Sequence, residues 1–290
     1  MPNTISPSNK KLIECPRDAM QGWLHFIPTD KKITYLNNLL KVGFDTIDFG
    51  SFVSPMAIPQ MADTKDVINN LETAGTNTKL LAIIANQRGA IEAVKFEKIN
   101  YLGYPFSISE TFQQRNTNSS VDESLTRVEA IQTLCVQHNK ELVVYISMGF
   151  GNPYGDEYNE EIVFKRTKQI EELGVKIISI ADTVGLATAD EISVLMEKMI
   201  PQFKNIELGV HLHSAPENRI EKLKAALNAG CKRFDSALKG IGGCPMAGND
   251  LVGNMDTEVM LRYFREQGEQ LHLNEAVLQQ CSIMASEIFV

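Results

Sequence analysis

Along the 290-residue chain, short runs of apolar and β-branched residues recur, and nearly every run is followed by a polar turn and then a segment whose apolar positions return at helical spacing. The runs are KLIECP (11–16), FDTIDFGS (44–51), KLLAIIAN (79–86), KINYLGYP (98–105), ELVVYISM (141–148), VKIISIAD (175–182), IELGVHLH (206–213) and CKRFDSAL (231–238), eight in all. They repeat at about 30 residues, the length of one strand–helix–strand crossover. Parallel strands buried on both faces read as continuous apolar runs, so eight of them interleaved with helices predict a closed α/β fold, a (β/α)8 TIM barrel, with residues 1–290 as a single domain. A doubly wound open sheet is the competing arrangement.

The intervening segments carry helix signatures. VDESLTRVEAIQTLCVQHN spaces Val121, Leu125, Val128, Ile131 and Leu134 at steps of three and four, which predicts one apolar stripe facing a sheet. Asp122 and Glu123 fall in its first turn, where the helix dipole favours negative charge. Glycines follow the helix ends in EELGVKIISI and LNAGCKRFD, where a left-handed cap is needed. The first crossover is long because DAMQGWLHFIPTD precedes its helix, and the link from the third strand to the fourth is short. NMDTEVMLRYFREQG and NEAVLQQCSIMASEIF predict two terminal helices, the first closing the barrel and the second packing across it.

Composition narrows the function classes. At 43% hydrophobic and 22% charged the chain is of ordinary globular make-up. A formal net charge of −8 repels nucleic-acid backbone and anionic membrane, so neither is an expected partner. Five scattered cysteines (Cys15, Cys135, Cys231, Cys244, Cys281) with no CxxC spacing suggest reduced thiols in the cytoplasm rather than a disulfide framework or a zinc ribbon. The opening MPNTISPSNKK lacks the apolar core of a signal peptide, and no stretch approaches the roughly 18 apolar residues of a membrane span.

In such a barrel the chemistry sits at the C-terminal ends of the strands, so those positions are the ones to inspect. GVHLHSAPEN places His211 and His213 two apart on a strand, where both point the same way, into the barrel mouth. Two imidazoles so held are half of a divalent-metal site. The plainer alternative is a pair of histidines bonded to backbone. The first strand ends in Arg17 and Asp18, which are either a carboxylate for the metal beside a guanidinium for an oxyanion, or a solvated turn. The second offers Asp48 before the rigid loop GSFVSPMAIPQM. In ADTVG, Asp182 and Thr183 are substrate contacts or the N-cap of the next helix. LKGIGGCPMAGNDLVGNMDTE, with glycines at 240, 242, 243, 248 and 253, has the composition of a lid and carries Cys244, either a chemical thiol or a structural one. Asn254, past it, is an N-cap or turns its amide oxygen to the metal.

With PRDAMQ, SFVSP followed by PQM, ANQRG, YISMGFGNPYG, ADTVG, GVHLH, and GIGGCP followed by GNMDTE, the chain resembles the 3-hydroxy-3-methylglutaryl-CoA lyase family from about residue 12 to residue 262. PRD with HxH is shared by the wider group of metal-dependent lyase and condensing barrels, whereas SFVSP…PQM with GGCP marks the lyases. The resemblance implies a divalent ion, Mg2+ or Mn2+, held by Asp18, His211, His213 and Asn254. It implies an acyl-CoA substrate cleaved in a retro-Claisen sense to acetyl-CoA and acetoacetate, as in leucine degradation and ketone-body formation, and a homodimer. Arg17 and Cys244 match the family's arginine and loop cysteine, and Asp48 stands where the family has a glutamate. His211 is a second candidate for proton transfer, and substrate contacts fall to Arg17, Asp182, Thr183 and, for a phosphate, Arg88 of ANQRG.

Three departures leave the metal set intact and bear on the substrate. Asp48 is one methylene shorter than the family's glutamate, which shortens its reach. The spacing from Cys244 to Asn254 is one residue longer, and FGNPYG lacks a cysteine that often precedes the proline. The rivals are a lyase for a related 3-hydroxy-acyl-CoA, a condensing synthase joining a 2-oxo acid to acetyl-CoA, and a metal-bound barrel without turnover.

Overall fold

Strand β1 (Lys11–Glu14) pairs in parallel with β2 (Thr46–Ser51) on one side and with β8 (Arg233–Ser236) on the other, and that second pairing closes the sheet. Between them run β3 (Lys79–Ile83), β4 (Tyr101–Ser107), β5 (Glu141–Ser147), β6 (Ile177–Asp182) and β7 (Glu207–Leu212), neighbouring in chain order. This computed structural model describes residues 9–243 and 252–290. Seven of the eight apolar runs contain one strand each, the other overlaps β4, which extends two residues beyond it, and closure excludes the open doubly wound sheet.

The helices are α1 (Pro16–Gln21), α2 (Thr29–Leu39), α3 (Thr64–Asn69), α4 (Gln87–Ala93), α5 (Glu110–Thr117), α6 (Val121–Gln137), α7 (Glu160–Glu172), α8 (Ala189–Gln202), α9 (Arg219–Asn228), α10 (Thr257–Glu266) and α11 (Glu275–Ile288). α6 begins with a full capping box, Ser120 and Glu123 satisfying each other's backbone N–H. Its buried stripe is Val121, Ser124, Val128, Ile131 and Cys135, with Leu125 and Leu134 only half-buried. The stripe is rotated from the expected one because Ser124 pairs its hydroxyl with Tyr104 at 2.9 Å, which makes a polar residue part of the packed face. Gly174 and Gly230 adopt the left-handed conformation expected after α7 and α9. α11 packs on α2, and Phe289 just beyond it meets Trp23 edge-on at 5.3 Å.

Two layers of burial position the site. Outward residues such as Ile47, Leu80, Leu102, Val144, Ile178 and Phe234 form the main core against the helices. The inward face is divided: Leu81, Tyr101, Val143, Tyr145 and Ile177 make an apolar cluster on β3 to β6. On β2, β7 and β8 the inward positions carry Asp48, His211, Arg233 and Asp235, all enclosed in the barrel. An ionisable group on a barrel strand has only the interior to occupy once helices cover the outside.

Candidate active site

The turn expected after β1 is instead helix α1, with Pro16 at its first position and Arg17, Asp18, Ala19 and Met20 buried. Arg17 lies across the barrel mouth. Its Nε and Nη2 donate to Asp48, with Nη2 to Oδ2 at 2.6 Å, and its Nη1 donates to Asp18 Oδ1 at 3.0 Å and to Gln21 Oε1 at 2.7 Å. The fork geometry of the guanidinium thus locks two carboxylates in place.

Ligand-type atoms of Asp18, His211 and His213 lie within 4.8 Å of one another. The ring centroids of the two histidines are 5.1 Å apart. Both Nδ1 atoms are already engaged: that of His211 with Asp235 Oδ2 at 3.1 Å, that of His213 with the Val252 carbonyl at 2.9 Å. Both partners are acceptors, so each ring donates from Nδ1 and keeps the lone pair on Nε2, the state a metal requires. Asn254 is buried, donating from Nδ2 to Asp18 Oδ2 at 2.7 Å and to the Ile241 carbonyl at 2.9 Å. Its backbone forms a bridge with that of His213. Residues from α1, β7 and the chain before α10 therefore converge, and Asn254 is not an N-cap: Asp256 caps α10 by accepting from the Val259 N–H.

The electrostatics separate the two imidazoles. Burial works against a charged His211, but Asp235 and Asp18 raise its pKa above the ordinary value. Burial and the neighbouring His211 lower that of His213. Burial would raise Asp18, yet Arg17, both imidazoles and the Asn254 amide together hold it at about 2, so it is a carboxylate at neutral pH. A carboxylate and two lone-pair imidazoles are the hard and borderline donors that suit a first-row divalent ion or magnesium. The donor set fits such a cation.

These groups open onto a cavity of about 430 Å3, bounded on one side by Arg17, Asp18, His211 and His213 and on another by Val53, Ala57, Ile58, Ile83 and Ala85. Thr183 reaches it, and its hydroxyl oxygen accepts the N–H of Met148, a residue with φ of 58° at the end of β5. A non-glycine residue in that region is strained, and the Thr183 contact helps to hold it.

Asp182 is not the N-cap of the next helix: it is ion-paired with Lys222 at 2.6 Å and accepts from the Ala187 N–H, while Thr188 caps α8. Asp48 has both oxygens on Arg17, and burial pushes its carboxyl up to about 6 with Arg17 opposing the rise. It faces the guanidinium rather than the cavity. Arg88 is exposed in the first turn of α4. Cys244 lies outside the described residues. Two participants escaped the sequence reading. Lys222 is buried beneath the mouth and donates to Asp182, the Gly185 carbonyl and the His213 carbonyl, tying β6 to β7. Asp235 holds His211, and the alternation Arg233, Phe234, Asp235 in a barrel strand was the available signal, since only inward positions suit the two charges.

A closed parallel barrel with a carboxylate and two imidazoles gathered at its C-terminal mouth defines a class: (β/α)8 proteins with a candidate divalent-cation site. The HMGL-like family profile matches residues 13–285, and the chain belongs to that family. It is 31% identical to a hydroxymethylglutaryl-CoA lyase of Bacillus subtilis over 252 residues, 87% of this chain and 83% of that one. It is likewise 31% identical over 256 residues to a 3-hydroxy-3-isohexenylglutaryl-CoA/hydroxymethylglutaryl-CoA lyase of Pseudomonas aeruginosa, covering 88% and 84%. Among solved structures, an HMG-CoA lyase of Acinetobacter baumannii in complex with coenzyme A and 3-methylmalate superposes with a TM-score of 0.89 at 29% identity, over 97% of this chain and 91% of that one. No helix among the described residues is long and apolar enough to cross a membrane.

Proposed function

We propose that the protein is a metal-dependent carbon–carbon lyase that cleaves 3-hydroxy-3-methylglutaryl-CoA to acetyl-CoA and acetoacetate. The observation that carries this reading is the convergence of Asp18, His211 and His213 within 4.8 Å beside Arg17, on one cavity, in an HMGL-like chain. Asp18, His211, His213 and Asn254 are the residues that would hold the cation. When bound, it supplies Lewis acidity toward substrate oxygens. In the reaction, the C3 hydroxyl loses its proton, the C2–C3 bond breaks as the C3 carbonyl forms, and the electron pair passes into the thioester enolate, which is then protonated at C2.

The chain's own groups supply the rest. Arg17, fixed by Asp48, sets a preorganised positive charge where the thioester oxygen becomes negative. Asp48 is a positioning residue for Arg17, so its shorter side chain bears on where the guanidinium sits rather than on its own reach. His211 lies on the cavity wall with Nδ1–H on Asp235, so its one lone pair, on Nε2, either ligates the cation or takes the hydroxyl proton, and it is the candidate base only where it is not a ligand. Thr183 bounds the substrate's space, and Cys244 is assigned the quenching of the enolate on resemblance alone.

Incubation of the purified protein with 3-hydroxy-3-methylglutaryl-CoA and Mg2+ or Mn2+, followed by assay for acetoacetate, tests the reading. Formation of a condensed hydroxy acid from a 2-oxo acid and acetyl-CoA, with no acetoacetate in the first assay, would assign the synthase instead. The apolar wall of Val53, Ala57, Ile58, Ile83 and Ala85 favours one second reading, a related substrate with a larger alkyl group at C3. Comparing kcat/KM for the two substrates decides between them. A cytoplasmic setting accords with four buried cysteines free of disulfides among the described residues. A single domain over residues 1–290, a homodimer and a place in leucine degradation are proposed with it, the last two from resemblance alone.

A further inference from the structure

Beneath the imidazoles lies a second polar group of side chains that the reaction does not use. Strand register sets Tyr145 of β5 beside Ser179 of β6, Ser179 beside Gly209 of β7, and Gly209 beside Arg233 of β8. The four positions form one inward-facing row, with Asp235 two residues further along β8. Gly209 leaves the room that the Arg233 stem fills, since a β-carbon there would stand 2.9 Å from both Arg233 Cγ and Cδ. Arg233 is tethered at one end, where Nη1 meets Glu207 Oε1 at 3.1 Å.

The remaining polar atoms of the row are buried without partners. Arg233 Nε and Nη2, Tyr145 Oη, Ser179 Oγ and Asp235 Oδ1 have no hydrogen bond among the described residues. Arg233 and Ser179 are 0% exposed, Asp235 3% and Tyr145 8%. A buried polar atom left unpaired is costly, and native interiors pair the great majority of theirs with protein or ordered water. The set is complementary in kind: the guanidinium donates, the carboxylate oxygen accepts, and the two hydroxyls do either.

We propose that this row is an internal hydration site, in which ordered water is held among Arg233, Tyr145, Ser179 and Asp235 under the floor of the active-site cavity. An enclosed water takes about two to four polar partners, and the row provides donors and acceptors on β5, β6 and β8 for them. Asp235 joins the two levels, with Oδ2 on His211 and Oδ1 on the water, so the hydrated row is the base on which the imidazole is oriented. The inference rests on register and burial and is independent of the reaction assigned above.

A crystal structure of the full chain, at a resolution that places individual waters, is the direct test. Ordered water within hydrogen-bonding distance of at least two of the four side chains is the expected result; a dry row, or direct pairing of these side chains with one another, overturns the proposal. Ser179→Ala provides an energetic test away from the cavity wall. Loss of a water ligand should lower Tm by about 2–4 °C. If the hydroxyl is instead an unsolvated group in a dry interior, its removal leaves Tm unchanged or raises it, and that outcome also overturns the proposal.

Discussion

Replacing Asp235 by asparagine probes whether the second carboxylate of the barrel interior sets the state of His211. The substitution preserves shape, and the side chain is fully buried at 0% exposure, so the change is confined to charge and hydrogen bonding. In the native arrangement Asp235 Oδ2 accepts from His211 Nδ1 at 3.1 Å, which leaves the Nε2 lone pair for the cavity. Asparagine has one oxygen and one NH2. The nearby Arg233 guanidinium, which interacts favourably with the Asp235 charge, draws the amide oxygen to its own side. The NH2 then faces His211 and favours the tautomer protonated at Nε2, the wrong one for a ligand.

Loss of an outer carboxylate of this kind typically weakens metal affinity by about 10–100-fold, equivalent to about 1.4–2.7 kcal/mol. The same range follows from removing one hydrogen bond to a charged group, about 1.5–3 kcal/mol. Calorimetric titration with Mn2+, alongside turnover of 3-hydroxy-3-methylglutaryl-CoA and a circular dichroism melt to establish folding, measures it. A folded Asp235→Asn protein that binds Mn2+ within about 2-fold of wild type would refute the reasoning, because the tautomer would then be set by something other than Asp235.

Further substitutions separate the remaining roles. His213→Ala should lose Mn2+ binding and turnover together, whereas Cys244→Ser should bind Mn2+ normally and lose most turnover; wild-type activity in the cysteine variant would remove the thiol from the chemistry. Lys222→Met leaves Asp182 as a buried unpaired charge and should cost about 3–5 kcal/mol in urea unfolding, while a loss below about 1 kcal/mol would show that the ion pair is not holding the ends of β6 and β7. Glu14 is fully buried beside Thr257 and the Leu238 N–H, and burial pushes its carboxyl from 4.5 up to about 8. The folded state therefore binds more protons between those values, so stability present below pH 4.5 declines as pH rises to 8, by roughly 4–5 kcal/mol in total. Glu14→Gln should flatten that slope in denaturant melts at pH 5 and pH 8, and an equal slope in both proteins would contradict the assignment.

The strands were legible because burial on both faces leaves a mark in one dimension: FDTIDFGS and ELVVYISM are apolar runs wherever the helices end up. The histidine pair was legible for a related reason, since a period of two on a strand sends His211 and His213 the same way without any tertiary knowledge. Lys222 was not. On α9 it reads as one more lysine of an amphipathic helix, and only packing reveals that its amine passes under the mouth to Asp182 and the His213 carbonyl. The partner of Asp48 was not legible either: its place came from the match to the family's glutamate, and only the fold shows that both its oxygens meet Arg17, 31 positions away in the chain.

The split interior of the barrel explains why the site lies where it does. Strands β3 to β6 pack a largely apolar cluster inside the barrel, of which Ile83 and Tyr145 reach the cavity, and Val53, Ala57 and Ile58 after β2 with Ala85 after β3 complete its apolar side. The strands β2, β7 and β8 and the end of β6 carry the buried charges, and three of them are held by a named opposite: Asp48 by Arg17, Asp182 by Lys222 and Arg233, through Nη1, by Glu207. Burying so many ions costs stability unless the pairs are complete, which makes this half of the barrel worth keeping only for what it orients. What it orients is one surface on which the lone pairs of two imidazoles, a carboxylate at about 2 and a fixed guanidinium meet. A fold using the same strands for packing alone would put aliphatic residues at Asp48, His211 and Asp235 and would gain stability by losing that surface.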